Sequence, residues 1–344
     1  MWYHSYGEGR REVPALTVSK TGKGVVSVKN IWKEGIFGVV TGDALGCPVQ
    51  FESRETVAEH PVTGMRGQGT FNLPAGSWTD DSSLTLALLD SLCETGSPDL
   101  KHVMENFVAW LDDGKFTPYG YAYDIGYGTM RAIENYKRNG DPYLCGGRDE
   151  SNNGNGSLMR IMPACLYCCA KGLEEEEAVR LISAVGSLTH AHLRANIACA
   201  LYWFMIREVL KGTGGLAERL QAGLDRGFAY YDGNPENGEE LKHYRRLRDL
   251  DAFAKVPAEE IRSSGYVVDT LEAVVWSLIT TDSFRETLLK AVNLGRDTDT
   301  VGAIAGGLAA LYYGYDAIPS EWIDVLKRKE WIEELCGKAE RVIG

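Results

Sequence analysis

From Ile31 onward, apolar residues recur at helical spacing with little interruption, and two segments, Leu84 to Cys93 and Val301 to Tyr312, are apolar nearly all round. A helix with one apolar stripe can lie on a surface, but one that is apolar on every side must be enclosed by others. The pattern therefore predicts an all-α fold in which such helices form the centre of a bundle. Helices are expected near 31–46, 82–95, 99–112, 124–138, 157–171, 174–187, 190–211, 215–229, 237–250, 266–279, 282–293, 300–313 and 320–341. Connectors carry turn signals such as Pro74-Ala75-Gly76 and Asp232-Gly233-Asn234-Pro235. No sustained alternation demands a sheet. A single large helical domain over residues 30–344 accounts for this better than two small ones. Residues 1–29, polar and mixed with a short β-like stretch at Gly24 to Val28, read as an N-terminal extension.

The 344 residues include 36 Lys and Arg against 48 Asp and Glu, a net charge of −12. Binding to nucleic acid needs clustered cations, so this balance argues against it. The first twenty residues lack an apolar secretory core, and the uncharged run from Thr300 to Tyr315 falls short of the roughly 20 residues that span a membrane. A cytoplasmic protein with no membrane contact is the expectation. Eight Cys in such a chain read as reduced thiols. Cys165, Cys168 and Cys169 lack the second ligand pair that a zinc site needs, and line a buried helix face instead.

The position of the carboxylates is more informative than their number. Gly76-Ser77-Trp78-Thr79-Asp80-Asp81-Ser82-Ser83 immediately precedes one apolar helix, and Gly295-Arg296-Asp297-Thr298-Asp299-Thr300 precedes another. Either cluster alone reads as helix capping, where a side-chain oxygen satisfies the free N–H groups of the first turn. Together they exceed what caps require. If the two helix starts meet, four carboxylates and the Thr hydroxyls form an all-oxygen cage. Such a cage repels itself unless hard cations such as Mg²⁺, Mn²⁺ or Ca²⁺ neutralise it, and two metals are the natural solution.

Other residues could serve a phosphate-bearing ligand. Asn152-Asn153-Gly154-Asn155-Gly156-Ser157 offers unencumbered backbone N–H groups before an expected helix, as an anion cradle or as a plain turn. Gly35, Gly38, Gly42 and Gly46, with Gly302 and Gly306, form small-residue stripes suited to close helix packing. Asp43 lies within the first stripe, exposed or supporting a metal site from behind. His190 and His192 stand at a helix start, for capping, packing or ligand contact. The polar segment 212–264 reads as a solvated helical excursion.

These motifs, in this order, resemble those of the ADP-ribosylglycohydrolase family: GDALG at Gly42 to Gly46, GSWTDDSSLTLAL at Gly76 to Leu88 and YDIG at Tyr123 to Gly126. The likeness continues with NGNGSLMR at Asn153 to Arg160, LTHAH at Leu188 to His192 and GRDTDTVGAIAGGLAALYYG at Gly295 to Gly314. The resemblance implies a compact all-α domain with a binuclear Mg²⁺ centre, loaded with Mn²⁺ in some members. It makes Thr79, Asp80, Asp81, Asp297, Asp299 and Thr300 metal ligands, with catalysis assigned to Asp80, Asp124 and Asp299. Asp124 would hold the ribose or its reacting centre, Asn155, Gly156 and Ser157 the diphosphate, and His190 the ADP-ribose.

Gln50 departs from the Glu of many members, which works at the metal in the serine-specific branch. The resemblance therefore implies removal of ADP-ribose from protein arginine, with an ADP-ribosylated protein or a small ADP-ribose conjugate as the partner. Some relatives instead block ADP-ribosylating toxins through an extension. Residues 1–29, with Trp2, Tyr3 and Tyr6, keep an immunity role with a toxin partner as the alternative.

Overall fold

The seam between the first and last long apolar helices organises the molecule. A computed structural model describes residues 30–344. In it α1 (Ile31–Gly46) runs antiparallel to α11 (Thr298–Tyr313), with Gly38 facing Gly306, Gly42 facing Gly302 and Gly46 facing Thr298. The spacing of four on both helices brings the same face round at each turn. A Cβ on Gly42 would lie 1.9 Å from the Gly302 carbonyl oxygen, so only glycine allows the two backbones to touch.

Ten further helices of nine or more residues pack around this pair: α2 (Asp80–Thr95), α3 (Leu100–Asp113), α4 (Tyr127–Asn139), α5 (Met162–Ala170) and α6 (Glu175–Gly186). The chain continues through α7 (Leu193–Lys211), α8 (Leu216–Asp232), α9 (Val267–Ile279), α10 (Phe284–Val292) and, after α11, α12 (Lys329–Val342). Shorter helical turns fill the connectors, and no strand occurs among the described residues. The fold is all-α and forms one domain, as the sequence pattern predicts. The helices expected to be enclosed are enclosed: Leu84, Leu86, Leu88, Val301, Leu308 and Leu311 are all fully buried. All eight Cys are free, with Cys165 and Cys168 on the buried face of α5 and Cys169 partly covered. No described helix is long and apolar enough to cross a membrane. The extension, its β-like stretch and its aromatic residues lie outside the described residues.

Three expected helices are placed or built differently. The helix expected at 157–171 starts five residues late, because residues 156–160 are held as turns and Asn155 N–H donates to Gly265 O at 3.0 Å. The helix expected at 237–250 is one α-turn, Gly238–Leu241, followed by 3₁₀ turns over Lys242–Arg248. Its buried residues, Leu241, Tyr244, Leu247 and Leu250, recur every third position, which is the 3₁₀ period and not the α period. The helix expected at 320–341 breaks between Ile323 and Lys329, where Arg328 adopts a left-handed φ of 52°. The break lets Lys327 N–H donate to Gly76 O, and Arg328 Nη1 to Thr117 O, steadying the approach to α2.

Because the seam has no room for a side chain, Gly42→Val is expected to cost about 3 kcal/mol or more in urea unfolding. Gly238→Ala, at a position with nothing within 4 Å, should stay within about 0.5 kcal/mol. Equal effects of the two substitutions would show that the seam is not the close contact described.

Candidate active site

The seam places Asp43 of α1 beneath the start of α2. Its carboxylate accepts the Thr79 N–H at 3.0 Å, the Thr79 hydroxyl at 3.0 Å, the Ser82 N–H at 2.9 Å and the Ser82 hydroxyl at 2.5 Å. The cap of α2 is therefore supplied from another helix, and Thr79, the N-cap residue, makes no capping bond of its own. Neither Asp80 nor Asp81 is used as a cap, so the bland reading of that cluster does not hold. Asp43 is fully buried rather than exposed.

The α11 start arrives alongside. The Thr300 hydroxyl lies 3.3 Å from Asp81 Oδ2, and the Thr79 hydroxyl approaches the same oxygen at 3.2 Å. Thr300 N–H donates to Asp299 Oδ1, and Asn155 Nδ2 donates to Asp297 Oδ2 at 2.6 Å. Asp124 enters from the loop before α4 with φ 54°, a left-handed conformation that is costly for a non-glycine residue. Phe51 and Arg296, also left-handed, are locked together: Phe51 N–H donates to Arg296 O, and Arg296 N–H to Glu52 O. Two of the strained residues outside glycine, Phe51 and Asp124, thus line one cleft, and Arg296 backs the first of them.

That cleft holds about 300 Å³. Asp80, Asp124, Asp297 and Thr300 line it, while Thr79, Asp81 and Asp299 lie buried beneath. Asn155, Gly156 and His190 form one wall. Ser157 does not reach the cleft: it is fully buried, and its hydroxyl receives the Cys199 thiol at 3.6 Å. The expected helix N-terminus behind this turn is also absent, since α5 begins only at Met162. Any cradle is therefore made by the turn itself. Sequence reasoning did not anticipate Phe51, Ile125 and Tyr127 at the rim, for which exposed aromatic and aliphatic residues beside a motif were the only signal.

The electrostatics are those of concentrated negative charge without a counter-ion. Asp80, Asp81 and Asp299 are held protonated well above the ordinary carboxyl value of 3.8, first by burial and then by repulsion from their acidic neighbours. Burial pushes Asp43 up to about 7 despite the opposing donors from Ser82 and Thr79. Asp297 and Asp124 also rise through burial, partly offset by bonds that include the Gln50 amide facing both. Among the described residues no Lys or Arg forms an ion pair with any of these six.

His190 is neutral at any ordinary pH, its pKa lowered to about 3 by burial and by Arg160. Its Nδ1 shares a hydrogen bond with the Thr189 hydroxyl at 2.9 Å, and that hydroxyl also accepts from Arg160 Nη2 at 2.8 Å. The other ring nitrogen, Nε2, faces Gly128 and Gly154 at the cleft wall. His192 stays apart and caps α7 by accepting the Arg194 N–H.

Among the described residues, no group of three or more His, Cys, Asp and Glu side chains is placed to hold a metal ion as it stands. The donor set nevertheless fits a hard cation. Asp81 Oδ1, Asp299 Oδ2, Asp124 Oδ2 and Gln50 Oε1 are buried with no hydrogen-bond partner, and orphaned oxygens of this kind are costly unless something binds them.

Comparison with known proteins agrees with the fold. The ADP-ribosylglycohydrolase family model matches residues 28–344. The ADP-ribosylarginine hydrolase Tri1 of Serratia proteamaculans is 31% identical over 88% of this chain and 77% of its own length. The ADP-ribosyl-[dinitrogen reductase] glycohydrolase of Rhodospirillum rubrum is 32% identical over 85% of this chain and 88% of its own. A solved ADP-ribosylglycohydrolase-related protein complex superposes with a TM-score of 0.73 at 33% identity, covering 92% of this chain and 98% of that one. The all-α fold with an acidic cleft is that of a hydrolase acting on ADP-ribose. The chain belongs to the ADP-ribosylglycohydrolase family.

A pH dependence follows for the protein in chelator. The unfolded chain ionises its Asp residues near 3.8, while the folded chain keeps the buried ones protonated further up, Asp43 to about 7. Over that interval the unfolded state binds fewer protons, so stability falls as pH rises from about 4 to about 7. Thermal unfolding in EDTA should show this loss, and Asp299→Asn should melt above the wild type in EDTA at pH 8. A wild type equally stable across the interval would contradict the account.

Proposed function

We propose that this protein hydrolyses the bond between ADP-ribose and an acceptor, with ADP-ribosylated protein arginine as its substrate and the cytoplasm as its place of action. The observation that carries the reading is a cleft lined by Asp80, Asp124 and Asp297 with Asp43, Asp81 and Asp299 buried behind it, with no basic partner among the described residues and with several oxygens unpartnered. Arginine as the acceptor is supported by the relative that acts on ADP-ribosylarginine and by the neutral Gln50 among the acids.

The proposal assigns two Mg²⁺, or Mn²⁺, to Thr79, Asp80, Asp81, Asp297, Asp299 and Thr300. When bound, these ions would neutralise the carboxylates, orient ribose hydroxyls and make a bound water more acidic. The chain's own residues divide the remaining work. Asn155 and Gly156, with Nε2 of His190, face the diphosphate. Asp124, with one oxygen unpartnered beside the cleft, receives a ribose hydroxyl or the attacking water.

Hydrolysis breaks the bond between ribose C1 and the guanidine nitrogen, and the electron pair leaves with the nitrogen. The water oxygen bonds to C1 through an oxocarbenium-like state. The water proton passes to a carboxylate, Asp80 or Asp124, and then to the departing nitrogen.

Arginine-linked and serine-linked ADP-ribosyl peptides, each offered with Mg²⁺, Mn²⁺ or EDTA, test the proposal through the release of free ADP-ribose. Release from the arginine conjugate with metal, and none in EDTA, is expected. Asp299→Asn should lose about 100-fold or more, since even outer-sphere partners of a metal commonly contribute 10- to 100-fold. Wild-type turnover by that variant would remove the metal assignment, and serine-only release would remove the acceptor assignment.

A further inference from the structure

Five aromatic rings run in succession along one wall beside the cleft. Phe51, at the rim, meets Phe71 with ring centres 6.4 Å apart, and Phe71 meets Tyr123 at 5.5 Å. Tyr123 meets Tyr121 at 6.0 Å, and Tyr121 meets Tyr119 at 6.2 Å. The series is anchored from behind. The Tyr123 hydroxyl donates to Trp78 O, and the Tyr119 and Ser77 hydroxyls share a hydrogen bond at 2.6 Å, both directly ahead of Thr79. Its outer surface is open, with Phe51 64% and Tyr121 53% exposed.

Several of the protein's aromatic rings already carry a cation. The protein's own Lys and Arg side chains lie over the rings of Tyr315, Phe116, Tyr127, Tyr312, Trp322 and Trp331, among others. Among the described residues none lies over Phe51, Phe71, Tyr119, Tyr121 or Tyr123. An aromatic face attracts a cation within about 6 Å, and guanidinium is the commonest partner. Glu52 and Asp124, next to two of the rings in sequence, and a net charge of −12 add to that attraction.

We propose that this aromatic strip is a docking track for the acceptor polypeptide, selecting segments that carry further arginines beside the modified one. The proposal rests on the hydrolase reading, since a segment whose ADP-ribose fills the cleft leaves it over a rim to which Phe51 contributes beside Ile125 and Tyr127. Steps of 5.5–6.4 Å between rings approach the roughly 6.6 Å between alternate residues of an extended chain. Arginines two and four residues from the modified position therefore face successive rings. The track contributes to recognition of protein substrates and nothing to the chemistry at C1.

The test compares three substrates: ADP-ribosyl-agmatine, an ADP-ribosylarginine peptide with arginines at those two positions, and the same peptide with glutamines there. Wild type should prefer the arginine peptide in kcat/KM. Tyr121→Ala, which lies outside the cleft, should lower kcat/KM on that peptide by about 2- to 5-fold through KM, as expected for one exposed cation–aromatic contact. Its rates on agmatine and glutamine substrates should be unchanged, and Tyr121→Phe should behave as wild type. Equal rates of the wild type on the two peptides, or an equal loss by Tyr121→Ala on the agmatine conjugate, would overturn the track. Absence of wild-type turnover on all three substrates would instead overturn the hydrolase reading, and the track with it.

Discussion

The backbone contact between α1 and α11 is the constraint on which the rest depends. Glycines at every fourth position on both helices let the main chains touch along three turns, and the contact ends at Gly46 and Thr298, where the acidic loop begins. The Thr298 hydroxyl donates to Gly46 O at 2.8 Å, closing the seam at the level of the site. A seam of larger residues would hold the helices some ångströms further apart. Asp81 and Thr300, 3.3 Å apart between side chains from different helices, could not then meet.

Asp43 converts that packing into chemistry. A helix start normally uses its own polar residues to satisfy its first N–H groups. Here a carboxylate from the seam satisfies them and leaves Asp80 and Asp81 with nothing structural to do. The arrangement would be a poor bargain as architecture, because buried like charges and unpartnered oxygens lower stability. Such features are tolerated where function needs them, and the left-handed Phe51, Asp124 and Arg296 crowd the same place.

Much of this was legible in the sequence, for identifiable reasons. Long amphipathic or wholly apolar segments reported their helices, and the two glycine stripes reported that both α1 and α11 pack closely against something. The likeness of the two acidic clusters showed what would form if their helix starts met, which the structure shows they do. What escaped lies in tertiary relations. Nothing local says that Asp43 caps α2 from a helix thirty-six residues away, which is why capping was the stronger reading of Asp80 and Asp81 taken alone. Ser157 follows the glycine turn as an anion ligand would, but the turn rolls it inward toward Cys199. The 3₁₀ segment was written plainly at 241, 244, 247 and 250, and was missed because a period of three is easily taken for the α-helical 3.6.

Gln50 shows how the site balances charge against order. Another carboxylate at this position would add a further like charge to a cluster that already repels itself. The Gln50 amide lessens the rise at Asp124 and Asp297 without adding to the field. Its carbonyl oxygen, buried and unpartnered, remains available to a donor brought by a ligand. The residue thus quiets the acidic cluster and still offers the cleft an acceptor.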